Sequence, residues 1–130
     1  MANAAGKRPL SPHLQIYKPI PTMMSSIVHR ITGCALYFGT LLVAWWLIAA
    51  ASGPEYFATA NWVFGSWFGQ LVLFGFTWAL VQHMLGGIRH FVWDLGYGFD
   101  KHLTTRVAKI TFVAAPVIAI LLWIVGYLVR

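Results

Sequence analysis

The sequence predicts an all-α membrane protein with three transmembrane helices. Of its 130 residues, 59% are hydrophobic and only 9% are charged, whereas a soluble domain carries about a quarter charged residues. Three long stretches contain no charged residue, and each can supply the roughly 20 helical residues that cross a bilayer. We therefore expect one membrane-anchor domain over residues 1–130, with no soluble domain beside the apolar stretches.

The three charge-free stretches set the predicted spans. The first, residues 31–54, predicts a transmembrane helix over residues 26–51. The second, residues 56–88, is longer than one crossing requires, so we place its span at residues 63–89 and expect a surface helix or a loop before it. The third stretch predicts a transmembrane helix over residues 109–129.

The ends of these helices carry weaker signals. Ser25 or Ser26 is the predicted N-cap of the first helix, because a hydroxyl can accept a hydrogen bond from a free backbone N–H in the first turn. Thr104 or Thr105 is the corresponding prediction for the last helix. Pro116 lies inside that last helix and predicts a kink there.

The basic residues predict orientation and location. Residues 1–25 contain four prolines and no apolar stretch of signal-peptide length, so we expect an extended segment at the cytoplasmic membrane surface. The positive-inside rule places the N-terminus and the second connection in the cytoplasm, or in the matrix of an organelle, and the C-terminus on the opposite side. This topology, rather than nucleic-acid binding, explains the net charge of +6. Because no long transit segment is visible, we expect a multi-pass protein of a bacterial inner membrane rather than a mitochondrial precursor. The basic residues at the cytoplasmic face are Lys7, Arg8, Lys18, Arg30, Arg89, Lys101, Arg106 and Lys109.

The second span ends in a motif with two histidines, His83 and His90. At about 3.6 residues per turn, His83, Gly87, His90 and Asp94 lie along one side of the helix. A neutral imidazole is a good axial ligand for haem iron, and glycine lets a flat macrocycle lie close to the backbone. Arg89 and His90 lie where haem propionates could be paired. The alternative is that His83 hydrogen-bonds a neighbouring helix, but an ionisable group inside a membrane is costly and is functional by default.

A second polar cluster opens the first span. Ser26 and Arg30 are four residues apart and share a helical face, where a hydroxyl and a guanidinium can bind a carbonyl oxygen of a small ligand. His29 lies on a neighbouring face and could pair with a propionate. The alternative is that Ser26 caps the helix and Arg30 anchors it to lipid phosphates. Because the predicted topology puts His83 in the same half of the bilayer, we favour a shared cofactor and ligand site.

These motifs, taken together, resemble those of a known family. The family is that of the cytochrome b (b556) subunits of succinate dehydrogenase, one of the two membrane anchors of respiratory complex II. The resemblance covers nearly the whole chain and includes three spans with the N-terminus inside. The segments that carry it, in order, are Arg8-Pro-Leu-Ser-Pro-His-Leu-Gln-Ile-Tyr17, Ser26-Ile-Val-His-Arg-Ile-Thr-Gly33, and His83-Met-Leu-Gly-Gly-Ile-Arg-His90 with Asp94.

The resemblance implies specific roles for these residues. His83 would ligate the iron of haem b, with the second axial ligand coming from the other anchor subunit. His29, and Arg30 beside it, would lie near a haem propionate. Ser26 and Arg30 would line the site where ubiquinone is reduced. For His90 the resemblance implies no role, and its propionate contact is inferred from its position alone.

The resemblance also implies partners. In the family, a flavoprotein with FAD oxidises succinate, and an iron–sulfur subunit passes the electrons to ubiquinone bound at the anchor. This chain would then be a subunit of succinate dehydrogenase whose flavin site is on another subunit. One alternative is a haem-free anchor of a related dehydrogenase or fumarate reductase. Another is a transporter or channel subunit, although such proteins usually place polar groups near the midplane of several spans.

Overall fold

The computed structural model describes residue 12 and residues 16–129, and this part of the chain is helical, as predicted. Four helices follow one another: α1 (Pro21–Ser52), α2 (Pro54–Gly65), α3 (Trp67–Asp94) and α4 (Lys101–Leu128). Of these, α1, α3 and α4 are long and apolar enough to cross a membrane, which confirms the three spans. With 12 residues, α2 is shorter than the roughly 20 that a crossing requires. Of the two alternatives for this segment, the structure therefore has a helix and not a loop. Residues 1–11 and 13–15 of the predicted surface segment lie outside the described residues.

The first helix begins earlier than predicted. Ile20 is its N-cap, no side chain accepts a capping hydrogen bond, and Pro21 occupies the first turn. Proline suits this position because its φ is already helical and the N–H that it lacks would have had no partner. The prediction of Ser25 or Ser26 as the N-cap is therefore wrong, and residues 21–25 belong to α1 rather than to the surface segment.

The last helix also begins earlier than predicted. The Asp100 side chain caps it by accepting a hydrogen bond from the backbone N–H of Leu103 at 2.8 Å. Thr104 and Thr105 lie inside the first turns, and each hydroxyl donates to a backbone carbonyl four residues back. The prediction of a threonine cap is therefore wrong, because a carboxylate placed just before the helix takes that role. The helix continues through Pro116 without interruption.

The helices pack through small residues, with α3 in contact with the other three. Small side chains let transmembrane backbones approach closely, which is how helices associate without a hydrophobic driving force. Two hydrogen bonds also join α3 to α4: Trp123 Nε1 donates to Thr77 Oγ1 at 3.1 Å, and the Tyr127 hydroxyl donates to Gln70 Oε1 at 2.8 Å. The nearly inaccessible alanines of this packing are Ala79, Ala108, Ala115 and Ala119.

The connection from α3 to α4 is a tight turn that brings the two helices side by side. Gly96 has a φ of 84°, a value that glycine adopts without the steric cost of a Cβ. Its N–H donates to the Trp93 carbonyl, and the N–H of Tyr97 donates to the Val92 carbonyl. This pair of bonds is the Schellman arrangement that ends many helices. The end of α3 and the start of α4 therefore lie at the same face of the bundle.

Candidate functional site

Two histidines from different helices meet near one end of the bundle. His29 of α1 and His83 of α3 stack with ring centroids 3.9 Å apart and an angle of 15° between the rings. Both side chains are half-buried. Of the two polar clusters found in the sequence, His29 of the first therefore contacts His83 of the second.

The His83 ring is fixed by a hydrogen bond to α1. Its Nδ1 lies 3.0 Å from the backbone carbonyl oxygen of His29. Because a carbonyl oxygen can only accept, this bond puts a proton on Nδ1, and the corresponding tautomer of imidazole has its lone pair on Nε2. The Thr32 hydroxyl, 3.3 Å from Nδ1, supports this assignment, since it donates to the carbonyls of Val28 and His29. Nε2 of His83 makes no hydrogen bond to any residue that the structure describes.

Two glycines allow the helices to come this close. A Cβ at Gly33 would lie 3.0 Å from Cε1 of His83, and a Cβ at Gly86 would overlap the His29 ring. Small residues at such crossings are typical of membrane helices. Gly87 was predicted on the side of α3 that carries His83, and a Cβ there would meet no neighbouring side chain or helix within 4 Å. Gly86 thus serves the packing of α1 on α3, whereas Gly87 leaves open space beside His83.

His90 extends the pair into a row of three imidazoles. Its ring meets the edge of His29 at a centroid distance of 5.2 Å and that of Trp93 at 5.1 Å. The His90 side chain is exposed. Nε2 of His29 is buried and has no hydrogen-bond partner among the described residues. These groups offer donors for an acidic ligand at the edge of the histidine pair.

Arg89 does not join this cluster, although it precedes His90 in the sequence. Its side chain is only 7% exposed, and it lines a cavity between α3 and α4. Its guanidinium carbon lies 4.8 Å from the centroid of the Trp93 ring. The sequence grouped Arg89 and His90 as propionate partners; both side chains contact Trp93, but Arg89 is buried in this cavity whereas His90 is exposed.

Comparison with known proteins identifies the family. The model of the succinate dehydrogenase/fumarate reductase transmembrane subunit family matches residues 4–125. The chain belongs to this family. A succinate dehydrogenase cytochrome b556 subunit of Paracoccus denitrificans is 43% identical over 122 residues, covering 94% of each chain. The Rickettsia typhi subunit of the same name is 37% identical, covering 91% of this chain and 92% of the relative. A mitochondrial cytochrome b560 subunit of Sus scrofa is 37% identical, covering 85% of this chain and 67% of the relative.

In this member of the succinate dehydrogenase/fumarate reductase family, the remaining predicted site residues lie on the outer face of α1. Ser26 and Arg30 are both exposed, and Nε of Arg30 donates to the Ser26 backbone carbonyl at 3.4 Å. They therefore share a face, as predicted from their spacing. This face lies beside His29 on α1 and is left exposed by the described residues. A ligand held there would need a second wall, which residues 16–129 do not supply.

Two residues of the site, Thr32 and Gly86, were not predicted from the sequence. Thr32 is 1% exposed, and its hydroxyl binds the carbonyl of His29 that also holds His83. The signal for Thr32 was its position three residues after His29, on the same side of α1. For Gly86 the signal was the pair of adjacent glycines, but the sequence could not indicate which of the two meets α1.

Proposed function

We propose that this chain is the haem b-binding membrane anchor subunit of a succinate:quinone oxidoreductase. The observation that carries the proposal is His83, an imidazole in an apolar span whose Nδ1 is held by the His29 carbonyl and whose Nε2 keeps its lone pair. A hydrogen bond at the non-ligating nitrogen is how proteins usually orient a metal-bound histidine. The name cytochrome b, which the relatives carry, also implies haem b.

The residues around His83 fit such a group. Gly87 leaves open space beside His83, and His90 is exposed on the same side of α3. Bound haem would supply the one-electron chemistry of its iron. This chain would hold the ring of the axial ligand, and Nε2 of His29, His90 and Arg30 would donate to the propionates. The open side of the site is where the second anchor subunit would contribute the other axial ligand.

The quinone site in this proposal lies on the exposed face of α1. The Ser26 hydroxyl and the Arg30 guanidinium would donate hydrogen bonds to the carbonyl oxygens of ubiquinone, and the isoprenoid tail would lie along the apolar residues of the span. Arg30 also contributes a fixed positive charge, which favours the negative charge that develops as the quinone is reduced. The iron–sulfur subunit would complete this site, and the flavoprotein with FAD would bind to that subunit.

The orientation of the chain is part of the proposal. The start of α1, the end of α3 and the start of α4 lie at one face, and their basic residues favour a cytoplasmic position of this face in a bacterial cell. We expect topology reporters fused at Gly53 and after Arg130 to report the outside of the inner membrane, and a reporter near Lys101 to report the cytoplasm. A cytoplasmic signal at Gly53 would contradict the orientation, and with it the docking of a soluble dehydrogenase at the histidine face.

The second candidate is a haem-free anchor of a related dehydrogenase or fumarate reductase. The observation in its favour is the same His83 hydrogen bond, which by itself would also suit a residue that only joins two helices. Purification of the chain with its partners separates the two. We expect three other subunits with flavin, iron–sulfur clusters and one b-type haem per complex. A complex with flavin and iron–sulfur clusters but no haem would refute the haem proposal and support the second candidate.

A further inference from the structure

The cavity that contains Arg89 lies between α3 and α4, outside the histidine site. It measures about 270 Å³, and its lining includes Arg89, Val92 and Trp93 of α3 and Leu103, Val107 and Thr111 of α4. The α3–α4 connection closes one end through Gly98. Neither the haem proposal nor the quinone proposal uses this space, since His29 and His83 pack on the side of α3 that faces α1.

The buried guanidinium in this cavity lacks partners. Arg89 is 7% exposed, and its Nε and Nη1 atoms have no hydrogen-bond partner among residues 16–129. No carboxylate pairs with Arg89 among the described residues, and that of Asp100 caps α4. A buried charge without a partner is strongly destabilising, so such groups are normally paired. Arginine is also fully protonated at any physiological pH.

The geometry around Arg89 is suited to a phosphate. Trp93 lies against the guanidinium, and its own Nε1 donates to the Gly98 carbonyl at 3.3 Å, so the ring is held in place. A planar guanidinium held in this way presents two parallel N–H groups, which match two phosphate oxygens. Arg89 lies five residues before the end of α3, or about 7.5 Å along its axis, near the depth of lipid headgroups.

We propose that this cavity binds the phosphate group of an anionic phospholipid. Arg89 would bind the phosphate, and the apolar side chains Val92, Leu103 and Val107 would contact an acyl chain. The site goes beyond the proposed electron-transfer function, because a lipid bound there would hold α3 and α4 together and fix them to the surrounding bilayer.

The test uses the whole complex, purified in detergent, with phospholipid and haem counted by native mass spectrometry. We expect one retained phospholipid per copy of this chain in the parent complex and in Arg106→Gln, which removes an exposed arginine of α4. Arg89→Gln should lose this lipid while the haem content stays the same. Equal numbers of retained phospholipids in Arg89→Gln and Arg106→Gln would overturn the proposal. So would a loss of haem from Arg89→Gln with the phospholipid retained, because Arg89 would then serve a propionate.

A binding experiment on delipidated complex separates lipid from free phosphate. Dihexanoyl phosphatidylglycerol should bind the parent complex at least about tenfold more tightly than Arg89→Gln, as expected for a lost charged hydrogen bond. Inorganic phosphate that bound as tightly as the lipid would overturn the lipid assignment. If Arg89→Gln does not assemble, Arg89→Lys retains the charge but not the paired N–H groups, and it should also bind the lipid more weakly. Undiminished binding by Arg89→Lys would contradict the proposed geometry.

Discussion

Substitution of His83 by alanine should remove most of the b-type absorbance of the assembled complex. The variant lacks the imidazole Nε2 that we propose as the axial ligand, and none of the neighbouring residues of α3 can coordinate iron from the same position. The complex should still assemble, because the crossing of α1 on α3 depends on Gly33 and Gly86 and not on iron. The reduced-minus-oxidised spectrum and the haem content per flavin measure the effect.

Control variants separate ligation from packing. His102→Ala, at the exposed start of α4, should leave the spectrum unchanged, as should His13→Ala, which lies outside the described residues. In His83→Ala, added imidazole should restore part of the absorbance, because it can enter the space of the lost ring; a purely structural role gives no such rescue. If His83→Ala kept its haem while His29→Ala lost it, the ligand would be His29 instead.

Loss of the Ser26 hydroxyl or of the Arg30 guanidinium, the two groups that we propose bind the quinone, should slow quinone reduction by about tenfold or more. A hydrogen bond contributes about 0.5–1.5 kcal/mol, and more when one partner is charged, and each 1.4 kcal/mol corresponds to about a factor of ten. Ser26→Ala removes a neutral donor, whereas Arg30→Leu removes a charged one, so the second effect should be larger. Succinate-dependent reduction of a ubiquinone analogue measures both.

The matched control for this experiment is Arg106→Leu, which removes an exposed arginine at the same membrane face but on α4. It should leave quinone reduction near the parent rate. In all three variants, succinate oxidation by a soluble artificial acceptor should persist, because that route bypasses the anchor. Unchanged quinone kinetics and unchanged inhibitor sensitivity in assembled Ser26→Ala and Arg30→Leu complexes would refute the site.

The number of spans was predictable because hydropathy is a local property and the bilayer sets the length that each span requires. Helix ends were harder to predict. Ser25 and Ser26 have the right chemistry for a cap, yet Pro21 begins the helix one turn earlier. Similarly, Thr104 and Thr105 have the right chemistry for a cap, yet Asp100 caps α4. A cap depends on which of several nearby residues adopts a non-helical conformation, and their composition alone does not decide this.

The sequence by itself determined that the chain has three apolar spans and that histidines, a serine and arginines collect at one end of them. The number of spans and the position of these polar residues both follow from the cost of placing charge in hydrocarbon and from the fixed rise of a helix. Only the tertiary structure decided that the His29 carbonyl holds Nδ1 of His83, that Gly86 rather than Gly87 meets α1, and that Arg89 turns into a cavity against α4. The reason is that these contacts depend on how far each helix is rotated about its axis, and the packing of small residues between helices sets that rotation.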